Sequence, residues 1–456
     1  MFDPEFFKGK RALVIGAGKS GAACANLLAA KGFAVLLTEE KAAGAVKEKL
    51  KGLARSVEVE TGGHGKEVFR CGFAVKSPGM AHSHPLIAAL KKKRIPVFSE
   101  IETALAFSGA GKLLAVTGTN GKTTTTVLLG EIMKAALSAS GGRALVCGNV
   151  GIPAAEAAPK ARARDAVVME VSSYQLEDSS YLRPDAACVL NITPDHLDHH
   201  GGMAAYVKAK QKVFKFQDPS GCCVFNYEDA FCRRLAKTCP SKVLFFSSRR
   251  SGGKLSAWTA GGKLFFRTEK AVLQVKPPDL PGAHNLENAM CAGLMALNCG
   301  VKPAVIKKVF AAFRGVEHRI EPAGRIRGVS FINDSKATNV DSTLVALKAL
   351  GRGKNTWLIL GGLDKGNPYA PLLPLIRKHV KAVLTIGAAA PKIEKELAGS
   401  CPIISSMTME RACRAILETA SPGEIGLFSP ACASFDQFKD FEDRGRKFKA
   451  FIRTLR

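Results

Sequence analysis

The 456-residue sequence lacks any apolar run of the ~18 residues that cross a bilayer, so no membrane insertion is expected. Its opening, Met1-Phe2-Asp3-Pro4-Glu5, has neither the basic nor the apolar stretch of a secretory leader, and a cytoplasmic protein is the expectation. Acidic residues are scarce: 39 Asp+Glu stand against 66 Lys+Arg, a formal net charge of +27. Such a field attracts nucleic acid, anionic membranes and phosphorylated small molecules alike, so charge alone selects no partner. Aromatic residues make up only 7% and are not interleaved with the basic runs as stacking platforms for single strands require, so no nucleic-acid partner is expected. The densest basic run, Lys91-Lys92-Lys93-Arg94, reads as a solvated helix end before a strand at Ile95–Phe98. No C-x-x-C pair offers zinc-ligand spacing. The thirteen cysteines are scattered, and Cys24, Cys188 and Cys291 lie in apolar contexts where a reduced thiol acts as a small hydrophobe. Repeats of solenoid period and low-complexity tracts are absent, which excludes array architectures.

What is present divides into three stretches, each alternating short apolar strands with helical segments. That alternation implies an α/β chain with mostly parallel sheets. The first stretch, expected over 1–107, opens with the strand Arg11–Ile15 and the turn Gly16-Ala17-Gly18-Lys19-Ser20-Gly21, and then a second strand, Phe33–Leu37, ending at Thr38-Glu39. A strand at Phe73–Val75 ends in another turn, Lys76-Ser77-Pro78-Gly79, and Ser99 begins a helix. The second stretch, 108–316, carries strand-like runs at Leu113–Val116, Ala144–Val146, Ala166–Met169 and Ala186–Leu190. The third, 317–456, has strands at Trp357–Leu360, Ala382–Ile386 and Ile425–Leu427.

Chemistry concentrates where strands end. Thr117-Gly118-Thr119-Asn120-Gly121-Lys122-Thr123 follows a strand and precedes the helical Thr124–Leu129. Glycines let backbone N–H groups turn toward phosphate oxygens, and the helix N-terminus adds a positive dipole end. Lys122 suits the β- and γ-phosphates of a nucleotide and the Thr123 hydroxyl suits Mg²⁺. The spacing departs from G-x-x-x-x-G-K-[ST], since position 116 is Val. Glu170 ends the strand Ala166–Met169, where a hard cation would find an oxygen ligand, or else caps a helix. Asn191-Ile192-Thr193-Pro194-Asp195-His196 follows a further strand and brings a second polar cluster, with His196 its candidate catalytic group. Asn285 and Asn288 stand three apart on one face of a long helix. Asn333-Asp334-Ser335-Lys336-Ala337-Thr338-Asn339 is a polar set far denser than a solvent loop needs, and the turn around Ser434-Phe435 exposes N–H groups suited to a carboxylate.

Gly-Thr-Asn-Gly-Lys-Thr resembles the ATP loop of the Mur ligase and folylpolyglutamate synthase superfamily, and motifs in order along nearly the whole chain extend that resemblance. It implies three domains: a Rossmann-like N-terminal domain that binds a UDP-sugar, a P-loop ATPase-like central domain and a Rossmann-like C-terminal domain that binds an amino acid. Asn-Asp-Ser-Lys-Ala-Thr-Asn together with Ser-Pro-Ala-Cys-Ala-Ser-Phe-Asp-Gln-Phe is similar to the D-glutamate-adding branch. The D-N-P-R motif of the diaminopimelate-adding branch is absent, and the loop carries Asn120 where the L-alanine-adding branch has His.

By resemblance, ATP contacts fall on Gly118, Thr119, Asn120, Gly121, Lys122, Thr123, Thr124, Asn285, Asn288, Arg319, Asp334 and Lys336. The UDP-sugar, UDP-N-acetylmuramoyl-L-alanine, falls to Gly18, Lys19, Ser20, Thr38, Glu39, Ser77, Asn149 and His196. D-Glutamate falls to Lys336, Thr338, Lys365, Ser434, Phe435 and Phe441. Catalysis is implied for Lys122, Glu170, His196, Lys210 and Arg319, with two Mg²⁺ on Thr123, Glu170, His196 and Lys210. An ammonium cannot bind Mg²⁺. The resemblance implies that Lys210 is carbamylated by CO₂, with Lys208 the competing assignment. A monomer is expected. Read alone, Gly16–Gly21 with Glu39 also satisfies a dinucleotide fingerprint, so a nicotinamide-dependent dehydrogenase is the rival reading. A nucleic-acid-stimulated NTPase is a third.

Overall fold

The computed structural model describes residues 2–80, 84–269, 271–364, 366 and 368–455, with Asp198 described in its backbone alone. Three sheets follow one another along the chain. In the first, Ala12–Ile15 (β1), Val35–Glu39 (β2), Val57–Thr61 (β3), Phe73–Lys76 (β4) and Val97–Ser99 (β5) pair in parallel in the order β3-β2-β1-β4-β5. Every residue of β1 and β4 is buried, the pattern of strands covered on both faces. The strand expected at Ile95 begins two residues later, at Val97, because the proline at 96 donates no ladder hydrogen bond. Lys91, Lys92, Lys93 and Arg94 lie exposed at the end of the helix Pro85–Lys92, as the sequence suggests.

The second sheet contains Lys112–Thr117 (β6), Ala144–Gly148 (β7), Ala166–Glu170 (β8), Ala186–Val189 (β9), Cys222–Asn226 (β10), Lys242–Ser247 (β11), Ala257–Ala260 (β12), Lys263–Arg267 (β13) and Val272–Val275 (β14). Their order is β14-β13-β12-β11-β10-β9-β6-β8-β7. Pairing is parallel from β12 through β7, while β12, β13 and β14 form an antiparallel meander at one edge. The third sheet orders Glu321–Ile326 (β15), Val329–Asn333 (β16), Thr356–Gly361 (β17), Val380–Ile386 (β18), Ile403–Met407 (β19) and Ile425–Phe428 (β20) as β15-β16-β20-β17-β18-β19. Only β15 runs antiparallel. The α/β class with three mostly parallel sheets is therefore the observed fold.

The chain forms two compact units: Met1–Asp279 with His284–Phe313, and Leu280–Ala283 with Arg314–Arg456. The first unit holds two sheets because one apolar core runs through both, from Phe73 and Phe98 through Ala154 and Ala157 to Val189 and Phe225. Polar contacts cross the same seam. Lys76 and Asp178 form an ion pair at 2.6 Å with both side chains buried, and Ser99 Oγ meets Ser179 Oγ at 2.9 Å. Glu102 accepts from the Ser180 N–H at 2.8 Å, and Glu100 accepts from the Ala155 N–H at 2.7 Å. No disulfide links any of this: all thirteen cysteines are free, and all but Cys239, Cys299 and Cys401 are buried. Among the described residues, no helix is long and apolar enough to cross a membrane.

Glu100 marks a pH dependence. Burial pushes its carboxyl up to about 7, against the N–H of Ala155, which favours the charged form. A carboxyl raised on folding is protonated more readily in the native chain. Its stabilising effect is complete below the unfolded value near 4.5 and fades as pH rises through about 7. Glu100→Gln keeps the acceptor for Ala155 and removes the titration. Its melting temperature is expected to exceed that of the parent chain at pH 8 and to match it near pH 5. The gap should be on the order of 2–3 kcal/mol in unfolding free energy, measured by denaturant titration at both pH values.

Candidate active site

The phosphate-type loop springs from β6, an interior strand of the second sheet. β6 lies between β8 and β9, and the register pairs Val116 with Glu170 on one side and Thr117 with Val189 on the other. Both expected polar clusters thus leave the sheet at the same edge as the loop. The loop's shape comes from its glycines: Gly118 has φ 153° and Gly121 has φ 86°, conformations that L side chains rarely adopt. A Cβ on Gly121 would stand 2.3 Å from Asn288 Oδ1. Gly121 caps the helix Lys122–Leu137, whose first turn, Lys122 to Thr125, presents N–H groups and a dipole end to the loop.

Asn191 fixes the loop. Its Oδ1 accepts from the Asn120 N–H at 2.8 Å and its Nδ2 donates to the Asn120 carbonyl at 3.1 Å, while its own carbonyl accepts from the Thr119 N–H at 2.9 Å. The Thr119 hydroxyl meets Tyr206 OH at 3.0 Å and the Thr193 carbonyl at 3.1 Å. Lys122 Nζ donates to the carbonyls of Thr119 and Gly118 at 2.8 and 3.1 Å. Thr123 and Thr124 are buried in the first turn. Behind the loop, Thr125 Oγ1 donates to Asn288 Oδ1 at 3.3 Å, and Asn288 donates to Asn285 Oδ1 at 3.0 Å. The two amides read from their spacing do share a helix face and are bonded to each other.

Glu170 is 2% exposed; its Oε1 accepts from Asn149 Nδ2 at 2.7 Å, and its Oε2 is buried with no hydrogen bond. A buried carboxylate oxygen without a donor, beside a loop built for phosphate, fits a hard cation. Lys210 is 1% exposed; its Nζ donates to the Gly118 carbonyl at 2.8 Å and sits 4.6 Å over the Tyr206 ring. Burial, joined by the Lys122 charge, pushes its ammonium well below the usual lysine range. Lys208 is exposed, so only Lys210 reaches the loop. His196 takes a left-handed φ of 53° at the start of the helix Leu197–His200. Its Nδ1 lies 3.1 Å from Tyr174 OH and its Nε2 3.4 Å from Asp195. Burial, opposed by Asp195 and joined by Lys122 and Lys210, keeps the imidazole below its ordinary value and hence neutral near pH 7.

In the first sheet, the turn after β1 places Gly18 at the N-cap of the helix Lys19–Ala30, with Lys19 exposed and Ser20 half-buried. Gly21 admits no side chain, since a Cβ would lie 1.9 Å from the Gly16 carbonyl oxygen. Ser77 Oγ donates to that carbonyl at 3.2 Å. Glu39 turns back on the same turn: its Oε2 accepts from the Ala17 N–H at 2.8 Å and its Oε1 from the Lys41 N–H at 3.1 Å. Thr38 is buried and bonds His64 Nδ1 at 2.8 Å.

In the second compact unit one buried cation links two of the candidate stretches. Arg444 has no exposed surface; its Nε donates to Ser335 Oγ at 2.9 Å, its Nη2 to the Ser335 carbonyl at 2.7 Å, and its Nη1 to the carbonyls of Cys432 and Ala433 at 3.1 and 3.3 Å. Burial lowers its pKa to about 10, so it stays charged at neutral pH. It thereby ties the Asn333–Asn339 stretch to the turn before Ser434. Ser335 Oγ also donates to the Phe441 carbonyl at 2.8 Å, and Lys336 Nζ lies 5.4 Å over the Phe441 ring. Ser434 is buried, Thr338 half-buried, and Phe435 is 67% exposed. Lys365 lies outside the described residues. Asp334 accepts from Ser429 Oγ at 2.7 Å and from the Ile320 N–H at 3.1 Å, and burial, opposed by Arg319, raises its carboxyl to about 6. Arg319 is half-buried, its Nε without a hydrogen bond.

Three residues escaped the sequence reading as supports of the site: Asn191 in its loop-clamping role, Tyr206 and Arg444. Tyr206 had a signal, four residues before Lys210 and so on the same helix face. Arg444 had none, being one cation among many in Phe441–Thr454.

Comparison with known proteins places these features. Residues 10–99 match the Mur ligase MurD-like N-terminal domain, 116–296 the Mur ligase middle domain and 318–432 the Mur ligase glutamate ligase domain. The UDP-N-acetylmuramoylalanine–D-glutamate ligase of Elusimicrobium minutum is 48% identical over 100% of both chains. That of Koribacter versatilis is 41% identical over 98% of each. Among solved structures, the UDP-N-acetylmuramate-alanine ligase of Thermotoga maritima shares the fold with TM-score 0.60 at 19% identity, covering 98% of this chain and 100% of that one.

Asn191→Ala removes two hydrogen bonds to the loop, each worth about 0.5–1.5 kcal/mol. Isothermal calorimetry with Mg–ADP is expected to show affinity weakened roughly tenfold, with the melting temperature changed by only a few degrees.

Proposed function

The chain belongs to the Mur ligase family, and from that premise we propose that it joins D-glutamate to UDP-N-acetylmuramoyl-L-alanine, with ATP converted to ADP and phosphate, in peptidoglycan precursor synthesis. The observation that carries this reading is the pairing of Val116 with Glu170, which sets a carboxylate oxygen without a donor beside a phosphate loop. The names of full-length relatives supply the substrates. We place the reaction in the cytoplasm, with a monomer acting on small molecules.

In the proposed reaction the L-alanine carboxylate attacks the γ-phosphorus, the bond to the ADP oxygen breaks, and an acyl phosphate forms. The D-glutamate amine then attacks the acyl carbon, loses a proton, and phosphate leaves as the amide forms. Lys122 and the N–H groups of Gly118–Thr124 hold the phosphates and meet the charge that develops in transfer. Arg319, Asp334 and Lys336 complete the nucleotide contacts, with Asn285 and Asn288 on the adenine side. Thr123, Glu170, His196 and a carbamylated Lys210 would hold two magnesium ions, which when bound neutralise phosphate charge. Gly18, Lys19, Ser20, Thr38, Glu39, Ser77 and Asn149 serve the UDP-sugar. Thr338, Lys365, Ser434, Phe435 and Phe441 serve D-glutamate, and the buried Arg444 keeps the Asn333–Asn339 stretch and the Ser434 turn in place.

Carbamylation has a physical basis. CO₂ reacts with a neutral amine: the nitrogen bonds the carbon, a proton leaves, and a carbamate anion remains. Burial lowers the pKa of Lys210 and so favours the neutral amine that this reaction needs.

Phosphate release tests the reading. With UDP-N-acetylmuramoyl-L-alanine held constant, D-glutamate should drive release while L-glutamate, D-aspartate and L-lysine do not; equal rates with L-glutamate would remove the amino-acid assignment. Lys122→Ala is expected to lower kcat by about 10²–10³ in a folded protein. Lys210→Ala should lose activity to a similar degree and regain part of it with formate or acetate. A variant that short carboxylic acids leave inactive speaks against the carbamate.

A further inference from the structure

One histidine–carboxylate cluster lies outside the groups assigned to substrates and magnesium. Glu177 ends the helix Ser173–Glu177, and His199 and His200 end the helix Leu197–His200. His199 Nε2 stands 2.9 Å from Glu177 Oε2, and His200 Nδ1 stands 3.5 Å from Glu177 Oε1. One ligand atom from each residue falls within 4.8 Å of the others. For comparison, ligands on a tetrahedral zinc with bonds near 2.0–2.1 Å stand about 3.3 Å apart.

His200 supplies the second observation. Its side chain has no exposed surface, and its Nδ1 is buried without a hydrogen bond. Its Nε2 lies 3.0 Å from Ser173 Oγ. When Ser173 takes the Nε2 proton, Nδ1 is left with a lone pair facing a carboxylate. Two acceptors buried face to face repel unless a cation sits between them. A hydrogen bond from the far nitrogen is also the arrangement that orients a ligating imidazole. Lys212 bonds the main-chain carbonyl of Glu177 at 2.5 Å and so leaves its carboxylate to the two imidazoles. The Tyr174 ring covers one side, with its centroid 4.0 Å from that of His199 and 5.6 Å from that of His200.

We propose that Glu177, His199 and His200 form a binding site for a divalent transition metal of the zinc class, separate from the magnesium-binding group assigned to Thr123, Glu170, His196 and Lys210. Two imidazoles and one carboxylate select zinc-class ions over Mg²⁺, which prefers oxygen ligands and water. A fourth position remains for water.

The test is Co²⁺ titration of the chelator-stripped full chain in excess Mg²⁺, read by the visible absorption of four-coordinate cobalt and followed by displacement with Zn²⁺. One equivalent per chain is expected. His199→Arg and Glu177→Gln should each weaken binding by roughly 10–100-fold. His199 is partly exposed, so its variant is expected to fold, and circular dichroism checks this. His196→Ala should leave the cobalt signal in place. The proposal is overturned if no four-coordinate signal develops, if His199→Arg binds as tightly as the parent, or if His196→Ala abolishes the signal.

Discussion

Everything in the central region depends on one register, the alignment of Val116 in β6 with Glu170 in β8. A parallel pair fixes where two neighbouring strands end, so the loops leaving those strands emerge side by side. Moving β8 by one residue would turn Glu170 to the other face of the sheet and leave the loop without its carboxylate. Burial enforces the alignment, because all five residues of β8 are enclosed and a slip would push apolar side chains against the wrong layer. The geometry of the candidate site is thus inherited from packing.

The same economy appears in the loop's supports. Asn191 uses both ends of one amide to hold Asn120, and the Thr119 hydroxyl joins Tyr206 to Thr193. Gly121 leaves the space in which Asn288 stands. None of these groups needs to touch a substrate to matter. They fix backbone N–H vectors, and a preset donor array loses little entropy when an anion arrives.

Much of this was legible beforehand. Strands closed by glycine turns declared themselves at Gly16 and Gly118, and one closed by a carboxylate at Glu170, because an apolar run followed by small or polar residues has few other uses. The second sheet beyond β9 was less legible. Cys222–Asn226 is a short apolar run that reads equally as buried helix, and Lys263–Arg267, apolar between charged ends, and Val272–Val275 are too short to establish a period. Nor did local pattern reveal that the first two sheets share a core, since Ala154 and Ala157 look like any helix face until Phe98 and Ile101 are packed nearby. The clamp by Arg444 was invisible for the same reason: its partners, Ser335 and Cys432, lie 109 and 12 residues away.

The thirteen unlinked thiols give the fold a chemical memory of its own unfolding. While the chain is native, most are shielded in apolar layers, and burial holds Cys24, Cys223 and Cys291 in the unreactive protonated form. Once it opens in air, every one becomes available for mispairing, and no native bridge exists to guide the pairing. Recovery after heating therefore calls for reductant, and for the ten buried thiols durability in an oxidising solution is set by how slowly the protein opens.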